Sequence, residues 1–177
     1  LALVVLLRGV NVGGHRTFRP AALAGRLKHL DIVNIGAAGT FVVRQPVVRQ
    51  QLRDEFARAL PFEAEMMICE GRQVLGLLSR DFFAGHAPRP DLVRFVSVLS
   101  RTPRSAPSTP INLPTGGAWL LKILAREGRF VVGLYRRQMN AIGQLATLDR
   151  LFGAPATTRN WSTMEAIGEV LDGEPRR

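Results

Sequence analysis

DIVNIGAAGTFVVR, residues 31–44, is the stretch on which the fold turns. It reads as two short strands, 32–35 and 40–44, joined by GAAG, whose glycines permit the positive φ of a tight hairpin. Upstream, LALVVLL is a continuous apolar run, which predicts a strand over 2–8 buried on both faces. Between the two, TFRPAALAGRLKHL carries Thr17 as a cap candidate, Pro20 in the first turn, and Leu23, Leu27 and Leu30 at helical spacing. Downstream, Pro46 is read as opening a helix through Leu52, Phe56 and Leu60, with Pro61 stopping it. EAEMMICEG (63–71) is read as a further strand. The order β-α-β-β-α-β within the first 70 or so residues is the split βαβ pattern. The expected fold is therefore α+β, with a ferredoxin-like (βαββαβ) N-terminal subdomain that places both helices on one face of a four-stranded antiparallel sheet.

The second half is less regular. GRQVLGLLSRDFF (71–83) reads as helical, AGHAPRP (84–90) as a linker and DLVRFVSVLS (91–100) as a strand. RTPRSAPSTPINLPTGG (101–117) is a long turn-rich loop, a kind that is usually functional or mobile. A hairpin turning at REGR (126–129), a helix over 138–152 and a last helix with Ser162 or Asn160 as its cap complete the chain. This predicts a mixed α/β C-terminal subdomain, with the division at 1–80 and 81–177.

Composition excludes several classes. Hydrophobic residues at 46% and charged residues at 21% of 177 are a globular balance. Cys69 is the single cysteine, so no internal disulfide and no thiolate metal cage can form; in EMMIC it reads as a core residue. His15, His29 and His86 are scattered, and neither metal nor cofactor is expected. LALVVLL is too short to span a bilayer and has no basic segment before it, so no membrane partner and a cytoplasmic location are expected. The net charge of +10 comes from 22 Arg and 2 Lys, and residues 89–137 carry a local excess of +7. Such charge favours polyanions, while Arg-rich codon usage would give the same count.

LLRGVNVGG (6–14) joins the first strand to the first helix. It has Asn11 where a dinucleotide fingerprint needs glycine, and it lacks the G-K-[ST] of a P-loop. Glycines there can still present backbone N–H groups to an anion near a helix start, and Arg8, Asn11, His15 and Arg16 flank them. The second dense run of donors is ATTRNWST (156–163), where an Arg beside Thr hydroxyls can hold a carboxylate or phosphate. The competing structural reading has Asn11 bonding loop backbone, and Trp161 stapling the last helix to the core. No G-x-S-x-G, H-E-x-x-H or Ser-His-Asp spacing occurs; His15 is the credible general base, Cys69 a distant nucleophile, and no catalytic residue is assigned. In REGRFVVGLYRR, basic residues beside strand aromatics are similar to RNA-binding sheets, but out of register with their usual motif.

LLRGVNVGG together with TTRNWST resembles the bacterial domain-of-unknown-function family 1697, and GRFVVGLYRRQMNAIGQLATLDRLFG resembles one branch of it. The resemblance implies two α/β subdomains, the first ferredoxin-like, and no established reaction. It marks Arg8, Gly9, Asn11, Gly13 and Gly14, then Thr157, Thr158, Arg159, Asn160 and Trp161. The chain departs from the family's S-G-N by keeping only Gly39, and has Ser162 where Asn is common. The expectation is a non-catalytic binding protein for a small phosphorylated or carboxylated ligand. Its contacts are Arg8, Gly9, Asn11, Gly13, Gly14, His15, Thr158, Arg159, Asn160 and Trp161. The alternatives are a nucleic-acid binder using Arg126, Arg129, Arg136 and Arg137, and an enzyme with His15 as acid or base.

Overall fold

The opening apolar run becomes strand β1 (Leu3–Leu7), with all five residues buried. The computed structural model describes residues 1–11 and 14–173. Around β1 are helix α1 (Pro20–Arg26), β2 (Ile32–Ile35), β3 (Thr40–Val43), α2 (Arg49–Ala59) and β4 (Met66–Glu70). The sheet order is β2-β3-β1-β4, with every neighbour antiparallel. Leu3, Val5 and Leu7 share one face with Phe41 and Ile68, and α1 and α2 bury Leu23, Leu27, Leu52 and Phe56 against them. Phe41 and Phe56 meet edge to face at 5.3 Å. The opposite face is equally dry: Val4, Leu6, Val42 and Cys69 are all fully buried. That explains why β1 has no polar alternation.

Helix α3 (Gly71–Leu78) follows β4 directly. Glu70 and Gln73 form a reciprocal capping box at its start. The last helix, α6 (Trp161–Leu171), is grouped from Ser162 onward with residues 1–79, while Arg80–Trp161 form the other unit. Gly71 and Gly168 admit the side chains of Leu171 and Leu78 where a Cβ would collide.

The other unit contains β5 (Leu92–Leu99), β6 (Ile111–Leu113), β7 (Leu121–Glu127), β8 (Phe130–Arg136) and β9 (Ala156–Asn160), with helices α4 (Met139–Leu145) and α5 (Leu148–Phe152). Its five strands run β6-β7-β8-β5-β9, all antiparallel. Phe95, Leu99, Leu121, Ile123 and Val131 pack with Leu148 and Phe152 of α5. The architecture is thus mixed α and β, with two antiparallel sheets and six helices among the described residues.

Several local expectations shift. The helix read as opening at Pro46 begins at Arg49, because Val48 is still extended. The segment expected as one helix over 138–152 breaks at Thr147, whose hydroxyl donates to the Gln144 carbonyl at 2.7 Å. Ser162 lies inside α6 rather than capping it, and Asn160 precedes the helix. The turn-rich loop contains the short strand β6, which pairs with β7. Finally, the strand expected from 63 starts at Met66. Strand β1 ends at Leu7 and Gly9 turns the chain away with φ +66, leaving Pro61–Glu65 no ladder partner beyond the Arg8 N–H to Glu65 carbonyl bond of 3.0 Å.

Candidate functional site

The glycine loop is a frame held by Asn11. Its described part contains Gly9, Asn11, Gly14 and Arg16 at positive φ of 66, 52, 78 and 48°. The Asn11 Oδ1 accepts the Phe18 N–H at 2.9 Å, while its Nδ2 donates to the Ala37 carbonyl at 2.8 Å. The Asn11 N–H closes the loop on the Arg16 carbonyl at 3.2 Å. One side chain therefore ties the loop both to itself and to the β2–β3 turn. The Arg8 Nη1 pairs with the Glu65 Oε1 at 3.0 Å. The N–H groups of Arg8, Asn11 and Phe18 are all engaged within the fold. Gly13 lies outside the described residues. His15 is solvent-exposed.

Beside this frame is a cleft of about 600 Å³, within the usual range for small-molecule sites. Arg16 lines it from the loop; Leu60, Phe62, Glu63, Glu65 and Met66 line it from the end of α2 and the lead-in to β4. His15 is not among the lining residues. The Phe62 ring is braced edge-on by Phe18 at 5.9 Å. A chain of contacts thus runs from Asn11 through Phe18 to Phe62 and the cleft wall. Asn11→Ala removes two hydrogen bonds and leaves alanine in a left-handed conformation; we expect a loss of about 2 kcal/mol, read as a lower urea midpoint.

The second motif is divided between the faces of its sheet. By register, Thr158 and Asn160 of β9 share a face with Ser97 and Phe95, while Thr157 and Arg159 share the other with Val98 and Val96. The Thr158 hydroxyl and the buried Ser97 hydroxyl are 2.6 Å apart. Tyr135 donates to Asn160 Oδ1 at 3.5 Å, and burial holds its phenol above the usual range. Arg159 is only 6% exposed, and its Nη1 donates to Thr157 Oγ1 at 2.7 Å and to the Thr158 carbonyl at 3.0 Å. Burial lowers its pKa to about 10, still leaving it charged at neutral pH. The Arg–Thr fork expected to grip a ligand is used inside the fold. Trp161 sets its ring edge-to-face with Phe83 at 5.0 Å and Phe82 at 6.3 Å. Asn160 and Ser162 are the exposed members of the motif.

The family described as Protein of unknown function (DUF1697) matches residues 2–115, a span that contains the glycine loop and the cleft. The chain belongs to the DUF1697 family. No curated protein matches it significantly. Among solved structures it is similar to the conserved bacterial protein SP0830 from Streptococcus pneumoniae, at 14% identity, over 96% of this chain and 98% of that one, with a TM-score of 0.61. At that identity the likeness is one of fold.

In this DUF1697 chain the arginines of the basic stretch are largely fastened to backbone. Arg126 donates to the Gly128 carbonyl at 2.8 Å, Arg129 to Leu99 at 2.9 Å, Arg136 to Trp119 at 2.8 Å and Arg137 to Pro90 at 3.1 Å. Arg136 also lies 4.2 Å over the Trp119 ring, with Lys122 5.0 Å from the same ring. Two features escape sequence reasoning. One is Arg94, an interior β5 residue stacked 4.5 Å over Phe83, whose Nη2 donates to the His86 carbonyl at 2.8 Å and whose Nε is buried without a partner among the described residues. The other is the cleft itself, which exists because β4 starts late. Among the described residues no helix is long and apolar enough to cross a membrane.

Proposed function

We propose that the protein binds a small carboxylated or phosphorylated ligand, without transforming it, in the cleft beside the glycine loop, with Arg16 as the anion contact. One observation carries the reading. Arg16 holds a left-handed backbone at φ 48°, lines the cleft, and has no acidic partner among the described residues. A non-glycine residue held there costs roughly 1–2 kcal/mol, and such strain gathers at functional positions. The loop glycines, Arg8 and Asn11 then serve as the frame that presents Arg16.

Calorimetric titration with 3-phenylpropionate and with inorganic phosphate tests this. Wild type is expected to bind at least one probe, and Arg16→Ala to weaken that binding about tenfold or more, the usual worth of a charged hydrogen bond. Binding unaffected by Arg16→Ala would overturn the reading. Asn160→Ala in the same titration asks whether the second motif, Thr158, Arg159, Asn160 and Trp161, takes part. Nucleic-acid binding through Arg126, Arg129, Arg136 and Arg137 is a second reading, favoured by the Trp119 ring with two cations against it; salt-sensitive binding of single-stranded RNA in place of the small probes would support it. The strand order β2-β3-β1-β4 supports a ferredoxin-like description of the first unit. A bacterial, cytoplasmic setting completes the proposal.

A further inference from the structure

We infer that the ligand of this cleft is a zwitterion, a molecule that carries an ammonium beside its carboxylate on an apolar body of amino-acid type. The inference rests on the reading of Arg16 as the anion contact and narrows it. The charged residues that line the cleft are Arg16, Glu63 and Glu65; beside it, Arg8 pairs with Glu65 and Arg53 donates to the Met66 carbonyl at 3.2 Å. Arg8 and Glu65 neutralise each other at 3.0 Å. Arg16 and Glu63 remain, one of each sign, both exposed, both lining the same space, and neither with a partner among the described residues.

A compact space of about 600 Å³ is roughly 10 Å across, comparable to the Debye length of about 8–10 Å near physiological salt. Whatever charge settles at Arg16 therefore also feels Glu63. A phosphate or a simple carboxylate would be drawn by the first and repelled by the second, whereas a ligand with both charges is attracted by both. The remaining wall, Leu60, Phe62 and Met66, is apolar and continuous with the α1–α2 core. Phe62 is fixed in place by the Phe18 ring and can receive an aliphatic or aromatic body. Opposed charges with an apolar floor match the α-ammonium, α-carboxylate and side chain of an apolar amino acid.

Three probes sharing one apolar body separate the possibilities: phenylalanine, 3-phenylpropionate, which lacks the ammonium, and 2-phenylethylamine, which lacks the carboxylate. Each is titrated into wild type, Glu63→Gln and Arg16→Ala. Glu63 is exposed, so Glu63→Gln should melt with the wild type, and equal melting temperatures confirm an intact fold. Phenylalanine is expected to bind about tenfold tighter than 3-phenylpropionate. Glu63→Gln should erase that difference by weakening phenylalanine alone. Equal affinities for phenylalanine and 3-phenylpropionate in wild type would overturn the zwitterion and leave the anion site standing. No binding of any probe, or binding indifferent to Arg16→Ala, would overturn both.

Discussion

Gly133→Ala is expected to destabilise the protein by about 3 kcal/mol, the upper range for forcing atoms into a packed core. Gly133 sits mid-strand in β8, opposite Phe95 on one side and Ile123 on the other. A Cβ there would run into the Lys122 carbonyl oxygen and would stand 2.9 and 3.0 Å from two carbons of the Phe95 ring. The ring has little room to yield, because it is fully buried and packed against Tyr135 at 5.7 Å. The carbonyl belongs to β7, whose residue Lys122 pairs with Leu134, so it moves only if the ladder moves. Urea unfolding checks this, with Gly76→Ala as the contrast. Gly76 is an interior residue of α3 with nothing near its missing Cβ, and alanine there should stabilise by about 0.5–1 kcal/mol.

Gly39→Ala is expected to cost a similar amount, about 2–4 kcal/mol, from two causes that add. The backbone φ of +79° strains any L side chain. The new methyl would also lie 2.8 Å from Val10 Cγ2 and 2.9 Å from Leu7 Cβ, both buried. Gly36→Ala in the same turn separates them, since Gly36 has a φ of +65° and open space, so only the strain of about 1 kcal/mol applies. The Gly39 carbonyl also accepts the Leu7 N–H at 2.8 Å, and the Ala37 carbonyl in the same turn accepts the Asn11 side chain. Disturbing this turn should therefore loosen the glycine loop, and Gly39→Ala should bind the small-molecule probes more weakly as well as melt earlier.

The first unit was legible because its signals are local. The apolar run of β1, the GAAG hairpin and the leucine spacing of α1 each depend on residues a few positions apart, and the antiparallel order follows from the short connections. The features that build the cleft are not local. Where β4 begins is decided by where β1 ends, some 60 residues earlier, through the turn at Gly9. Asn11 is a turn former by type, yet its second partner, Ala37, lies 26 residues away. The alternation in ATTRN does divide its side chains between two faces, but a charged residue is ordinarily read as solvated, and Arg159 is buried instead. The grouping of α6 with residues 1–79, where the sequence reading kept it with 81–177, has no marker in the helix's own composition.

The most direct test of the central claim is to map where a small carboxylate binds, by recording backbone amide shifts of the labelled protein as 3-phenylpropionate is added. Perturbations are expected to gather at Gly14–Phe18 and at Ala57–Met66, around Arg16 and the cleft wall. Perturbations centred instead on β9 and the arginines of β8, with the cleft residues unmoved, would contradict it.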